Sequence, residues 1–180
     1  LIDIRPIGAL TKNFDGKNLA ELYDMQMAGA IGFYDFKSPV TNSNLFKIAL
    51  QYAKGFNGLL FSFPLDKAVA GQAQVNEDEL TTYLGLKGMP SLAEELQIAR
   101  DLYILEYTGG RLHIPTISTQ ASVQLIKEAK AKGLHVTCSV ALPHLFFTSQ
   151  KLESFDSKYK ITPPLRTQED SKALRDAVKT

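Results

Sequence analysis

Residues 111–140, RLHIPTISTQASVQLIKEAKAKGLHVTCSV, read as one complete strand–helix–strand unit. Arg111–Ile117 follows Gly109-Gly110 and is rich in β-branched residues, the composition of a strand. Thr119 then stands at an N-cap position; Val123, Ile126 and Ala129 or Ala131 recur on one helical face, and Gly133 supplies the stop. A second strand is predicted over His135–Val140. The same alternation continues toward the N-terminus, with strands predicted over Ile2–Ala9, Ala30–Tyr34 and Gly58–Phe63. Leu19–Met27 carries Leu19, Leu22, Tyr23 and Met27 at helical spacing and stops before Gly29; Asn42–Lys54 carries Leu45, Ile48, Ala49 and Tyr52 and closes at Gly55. Ser91 to Tyr107 opens on an S-x-x-E capping box, Ser91 and Glu94, with Ala93, Leu96, Ala99 and Tyr103 as its apolar face. Thr167 and Asp170 make a second box-like start. The strand starts at 2, 30 and 58 are evenly spaced, one βα unit each, whereas the step to 111 contains a non-periodic segment, Pro64 to Pro90, long enough to be a functional loop.

Strands alternating with helices define an α/β chain with a parallel sheet of about five βα units. Five cannot close an eight-stranded barrel, which takes about 250 residues. Neither a G-x-G-x-x-G turn nor a phosphate loop follows any strand, so nucleotide-binding open sheets lose support. The 180 residues are 44% hydrophobic and 22% charged with a net charge of +1, which excludes disorder and a polycation. Near-neutral charge gives no reason to expect nucleic acid or an anionic membrane, and no apolar run is long enough to span a bilayer. One cysteine, Cys138, cannot pair internally and fits a reducing cytoplasm; mid-strand, it reads as an inert thiol. The first residues, Leu1, Ile2, Ile4 and Ile7, already look strand-like without an initiator Met, and Ala177–Thr180 falls inside a helical pattern. The chain is therefore expected to be a piece of a longer polypeptide, with residues 1–180 forming part of one domain without an internal boundary.

Candidates for chemistry are few. His113 and His135 fall in strands, where a lone histidine reads as a packed or capping side chain; His144, after Pro143 in a post-strand loop, is better placed for function. No H-x-H, H-E-x-x-H or cysteine pair is present. Backbone N–H groups at Ile117-Ser118-Thr119 could receive an anion or be met by N-capping alone. Asn76-Glu77-Asp78-Glu79 could form a carboxylate cluster, but such runs are usually solvated loop surface. Asp35 ends the second strand, a position for either a functional group or a turn-forming carboxylate before Lys37-Ser38-Pro39. Pro163-Pro164-Leu165-Arg166 is rigid enough to aim Arg166 inward, and equally serves to stiffen a loop.

Taken in order, Leu84-Gly85-Leu86-Lys87-Gly88-Met89-Pro90, Ala93-Glu94, Ala99-Arg100-Asp101, Ile117-Ser118-Thr119 with Ser122-Val123, Val136-Thr137-Cys138 and Pro163-Pro164-Leu165-Arg166 resemble the dihydroorotases of the cyclic amidohydrolase family, from about Ile4 to Thr180. The resemblance implies a distorted (β/α)8 TIM-type barrel, a zinc centre, and interconversion of carbamoyl aspartate and dihydroorotate. It also implies that this chain is the central portion, the family's H-x-H and its catalytic Asp-His lying outside it. At the family's central ligand positions the sequence departs. Phe36 stands where a T-D-D-G turn supplies a bridging Asp, with Asp35 beside it; Phe63 stands at one metal histidine and Thr116 at another; Thr162 replaces the substrate-contacting Asn before P-P-L-R. Phenylalanine has no lone pair for a metal, and a threonine hydroxyl is a poor zinc ligand.

The resulting expectation is a dihydroorotase-like protein of pyrimidine biosynthesis without a working centre: no catalytic residue or cofactor in this chain, a residual site of Asp35, His144, Thr162 and Arg166 at most, and a scaffold role with aspartate carbamoyltransferase as partner. Self-association is expected to cover open sheet edges. The alternative is a zinc-dependent dihydroorotase that is active when full length, through flanking ligands or Asp35 in a shifted register. A metal-free barrel that binds a small molecule is the third class.

Overall fold

A computed structural model describes residues 2–179. It confirms an α/β fold whose strands pair in parallel. Residues group into two compact units, Leu1–Phe63 with Ala99–Pro115 and Glu128–Thr137, and Pro64–Ile98 with Thr116–Lys127 and Cys138–Thr180.

In the first unit, helices α1 (Leu22–Met27) and α2 (Ser43–Lys54) precede strand β1 (Leu59–Phe61). The order of the remaining elements is α3 (Lys67–Ala70), β2 (Val75–Asn76), α4 (Glu79–Tyr83), β3 (Gly88–Met89), α5 (Leu92–Thr108), β4 (Arg111–Ile114), α6 (Gln120–Ala131), β5 (Val136–Cys138), α7 (Leu142–Phe146) and α8 (Gln168–Val178). β1 pairs in parallel with β4, Leu59 opposite Arg111 and Phe61 opposite His113, and β4 neighbours β5. Parallel bridges from Gly8 to Phe33 and from Phe33 to Leu60 extend the series, so neighbours in space follow chain order. Because side chains alternate along a strand, Phe33, Leu60 and Leu112 share one face and are fully buried, as are Phe46, Ala49 and Leu50 of α2. Tyr34, Phe61 and His113 share the other, with ring centroids 5.7 and 4.9 Å apart.

The first two predicted strands shrink to isolated bridges at Gly8 and Phe33. Ile2 and Ile4 are 90% and 84% exposed, so nothing rewards extending the ladder, and Pro6 cannot donate to it. α1 starts at Leu22 rather than Leu19 because Leu19 bridges back to Thr11. α2 starts as predicted, its cap Asn42 accepting from the N–H groups of Asn44 and Leu45. α5 has the predicted extent but only part of the predicted face: Ala93 is buried as expected, Leu96 and Tyr103 are exposed, and Ile98, Leu102 and Leu105 are buried instead. Two apolar stripes on one helix mislead a periodicity reading.

In the second unit the expected loop from Pro64 to Pro90 holds four short elements. β2 pairs in parallel with β3, Val75 opposite Gly88 and Asn76 opposite Met89. A Cβ on Gly88 would meet the Cα of Glu77 at 2.6 Å, so only glycine fits there. Ala70, Met89 and Ala93 form a small cluster with Leu65, Val69 and Ala73 packed on it. α8 opens on the predicted capping box, Thr167 and Asp170 bonding reciprocally. The acidic run is exposed at Glu77 and Glu79, as expected, but not at Asn76 and Asp78. Asn76 is buried, and Asp78 caps α4 by accepting from the N–H of Thr81 at 2.9 Å. Partial burial pushes Asp78 up, but hydrogen bonds from Ser149, Asn76 and Thr81 outweigh it and hold the carboxyl below its ordinary range. Cys138 ends β5 half-buried rather than lying mid-strand.

Leu60→Ala opens a cavity between β1 and α2 and is expected to cost about 2–5 kcal/mol of stability. Chemical denaturation checks this, and a loss under about 1 kcal/mol would contradict the assigned core face.

Candidate functional site

Asp35, Phe36 and Phe63 belong to the first unit; Thr116, His144, Thr162 and Arg166 belong to the second. Asp35 is buried and fully committed. Its Oδ1 accepts from the backbone N–H groups of Leu10 and Thr11, both at 2.9 Å, and its Oδ2 from the Thr11 hydroxyl. Its carbonyl also closes the turn to Ser38 at 2.8 Å. It is thus a structural tie between two segments of chain. Phe36 is 71% exposed, edge-on to Tyr34 at 5.8 Å, with the Lys37 ammonium 5.6 Å from its ring centre. Phe63 is buried as core. One residue earlier, Ser62 is buried and donates to Asp101 at 2.5 Å, while Arg100 donates to the same carboxylate at 3.0 and 2.6 Å and to the carbonyls of Val40 and Thr41. His113 is the third ring of the row described above, and its Nδ1 lies 2.8 Å from the Thr137 hydroxyl. Burial pulls its pKa down.

The second unit concentrates its polar groups around Glu94, which is 1% exposed. Glu94 Oε1 accepts from the N–H groups of Ser118 and Thr119 at 2.7 and 3.2 Å and from the Ser122 hydroxyl at 2.7 Å. Oε2 accepts from the Ser118 hydroxyl. The Ser122 proton being used on Glu94, the Thr119 hydroxyl donates to Ser122 Oγ across 2.8 Å and accepts from the Ser122 N–H at 3.0 Å, the predicted N-cap of α6. The junction at Ile117-Ser118-Thr119 does receive an anion, and that anion is the protein's own carboxylate. The Ser91 capping box is therefore the wrong role for Glu94.

Arg166, 3% exposed, completes the cluster. Nε donates to Ser118 Oγ at 3.1 Å, and Nη1 donates to Asn76 Oδ1 at 2.9 Å and to the Met89 carbonyl at 2.8 Å. Nη2 makes no hydrogen bond and meets Glu94 Oε2 at 3.9 Å. Burial pulls this guanidinium down from its ordinary value while the Glu94 charge opposes the shift. The rigid Pro163-Pro164 segment thus aims Arg166 into the unit. His144 lies in helix α7, not in a loop, and is 3% exposed. Burial holds it neutral, below its ordinary value of 6.5, although Pro163, Glu94 and Ala141 push the other way. Its Nε2 sits 3.0 Å from the Pro163 carbonyl, an acceptor, so Nε2 carries the proton. Thr116 has a left-handed backbone (φ 59), its N–H donating to Ser139 Oγ at 3.2 Å, and Thr162 is exposed.

These residues do not fit a zinc ion. Phe36 and Phe63 offer no donor, the oxygens of Asp35 are held by Leu10 and Thr11, and Thr116 brings only a hydroxyl. Among the described residues no three of His, Cys, Asp or Glu gather as a metal ligand set. Sequence reasoning missed the joint role of Glu94, Asn76 and Ser122; the signal was that Ala93-Glu94, Ser118, Ser122 and Arg166 all fall in the series of family-like segments.

A parallel α/β sheet whose strands pair in chain order, with such a buried carboxylate–guanidinium cluster, defines a class that comparison makes specific. The family model described as dihydro-orotase-like matches residues 1–122. The chain is 42% identical over 177 residues to a dihydroorotase of Pelotomaculum thermopropionicum, covering 98% of this chain and 42% of that protein. It is 40% identical over 180 residues to a dihydroorotase of Geobacter sulfurreducens, covering 99% of this chain and 42% of that one. In fold it is similar to L-hydantoinase (dihydropyrimidinase) from Arthrobacter aurescens, TM-score 0.74 at 21% identity over 93% of this chain and 38% of that one. The chain belongs to the dihydro-orotase-like family, and it spans about two fifths of the length of the relatives it matches. No helix among the described residues is long and apolar enough to cross a membrane.

Glu94→Gln removes the buried countercharge of Arg166 and is expected to destabilise the protein by about 3–5 kcal/mol, as read by urea denaturation; an unchanged midpoint would show the cluster to be incidental. Burial keeps His113 and His144 neutral, so the unfolded chain takes up protons first, near pH 6.5. Stability from these two groups is fully present above about pH 6.5 and falls as the pH is lowered below it. The denaturation midpoint is expected to be lower at pH 5.5 than at pH 7.5, and equal midpoints would rule out neutral burial.

Proposed function

We propose that this chain is a non-catalytic member of the dihydro-orotase-like family, a portion of a (β/α)8 barrel of about five βα units that serves as a scaffold. The observation that carries this reading is the pairing of phenylalanines at two family ligand positions, Phe36 and Phe63, with the neighbouring carboxylate Asp35 wholly engaged by backbone and hydroxyl donors. Thr116 and Thr162 extend the same trend to the third ligand position and to the substrate contact. Phe63 is packed as core and Phe36 presents an exposed apolar ring, so neither side chain offers a cation or an anionic substrate a polar partner.

The partner class that follows from the family is aspartate carbamoyltransferase, the enzyme that makes carbamoyl aspartate. Association between copies would cover the edges of the parallel sheet. An active zinc-dependent dihydroorotase would instead require ligands supplied from outside these 180 residues.

With excess zinc present, closure of carbamoyl aspartate and opening of dihydroorotate are expected to stay at the uncatalysed rate, while sedimentation detects a complex with aspartate carbamoyltransferase. Turnover of about 1 s⁻¹ or more would overturn the non-catalytic reading, and absence of a complex would overturn the scaffold role.

A further inference from the structure

We propose that the second unit binds a small carboxylate with an apolar body in a cavity of about 290 Å3, at the small end of the range for ligand pockets. None of the family's metal or substrate positions discussed above lines it, although Leu86 and Lys87 fall in the family-like segment Leu84–Pro90. Val75 of β2, Leu86, Leu152 and Phe155 form apolar walls, and Lys87 and Lys160 stand among them.

The walls are fixed by local structure. Val75 and Leu152 are buried, the first by the β2–β3 pair and the second within a 3-10 helix at Ser149–Ser154. Phe155 ends that helix in the left-handed region (φ 50), its N–H donating to the Leu152 carbonyl, and it remains 66% exposed. A bulky aromatic in that conformation is uncommon.

Charge selects the ligand. The one carboxylate in the lining, Asp156, is already neutralised: its Oδ2 meets the Lys158 ammonium at 2.6 Å and its Oδ1 accepts from the Lys158 N–H at 3.0 Å. Among the described residues no carboxylate lies within ion-pair distance of Lys87 or Lys160, so two exposed ammonium groups without an ion-pair partner stand at the rim of the apolar walls. A neutral apolar solute leaves both charges unanswered, and a small inorganic anion leaves the walls wet. A short aliphatic or aryl-alkyl carboxylate satisfies both, and the volume excludes a folded peptide segment.

Titration of the full chain with 4-phenylbutyrate and with its neutral counterpart 4-phenylbutanamide, followed by backbone amide NMR shifts, tests this. The carboxylate is expected to shift the amides of Val75, Leu86, Leu152 and Phe155 and to bind about tenfold more tightly than the amide. Lys87→Gln and Lys160→Gln are each expected to weaken it about threefold, in line with exposed charge pairs. Leu86→Asp, at a partly exposed wall position, is expected to abolish carboxylate binding, with thermal melts confirming that each variant folds. Equal affinity for the two compounds, shifts confined to other regions, or an unchanged preference in the lysine variants would each overturn the proposal.

Discussion

The second unit depends on one buried carboxylate. Strand-to-helix junctions leave backbone N–H groups without partners, and a junction packed away from water must find acceptors for them. Glu94 supplies one carboxylate to the N–H groups of Ser118 and Thr119 and to two serine hydroxyls, so a single side chain from α5 fixes the start of α6. A carboxylate so deeply buried needs a countercharge, and Arg166 brings it while also tying Asn76 and Met89 of the β2–β3 pair. The Pro163-Pro164 segment that aims Arg166 is in turn held by His144 through the Pro163 carbonyl.

This arrangement ties together segments that resemble the family. Ala93-Glu94, Ser118-Thr119, Ser122 and Arg166 are bound to one another, so altering any of them strands a buried charge or donor. Ala99-Arg100-Asp101 behaves alike in the first unit, where Asp101 accepts from Ser62 and Arg100, and Arg100 holds two carbonyls. Phe36, Phe63, Thr116 and Thr162 take no part in the bonds of either network.

Much of the fold was legible in the sequence because its signals are local. Asn42, Thr119 and the Thr167–Asp170 box announce helix starts through bonds to residues two or three positions away. The α5 face was not legible, since exposed Leu96 and Tyr103 imitate a buried stripe and the packing partner alone decides. Nor was the role of Glu94, whose spacing from Ser91 satisfies a local rule while its real partners lie 24 to 28 residues away. His144 misled for the same reason: a Pro-preceded histidine after a strand suggests a loop, yet Pro143 sits in the first turn of α7, where proline is tolerated.

In the proposed reading, the family motifs here preserve a polar scaffold and not a metal centre. Isothermal calorimetry of zinc binding to the purified chain at neutral pH tests it directly. The account predicts no stoichiometric binding at micromolar zinc; one equivalent bound with micromolar or tighter affinity, and lost on changing Asp35 to Asn, would contradict it.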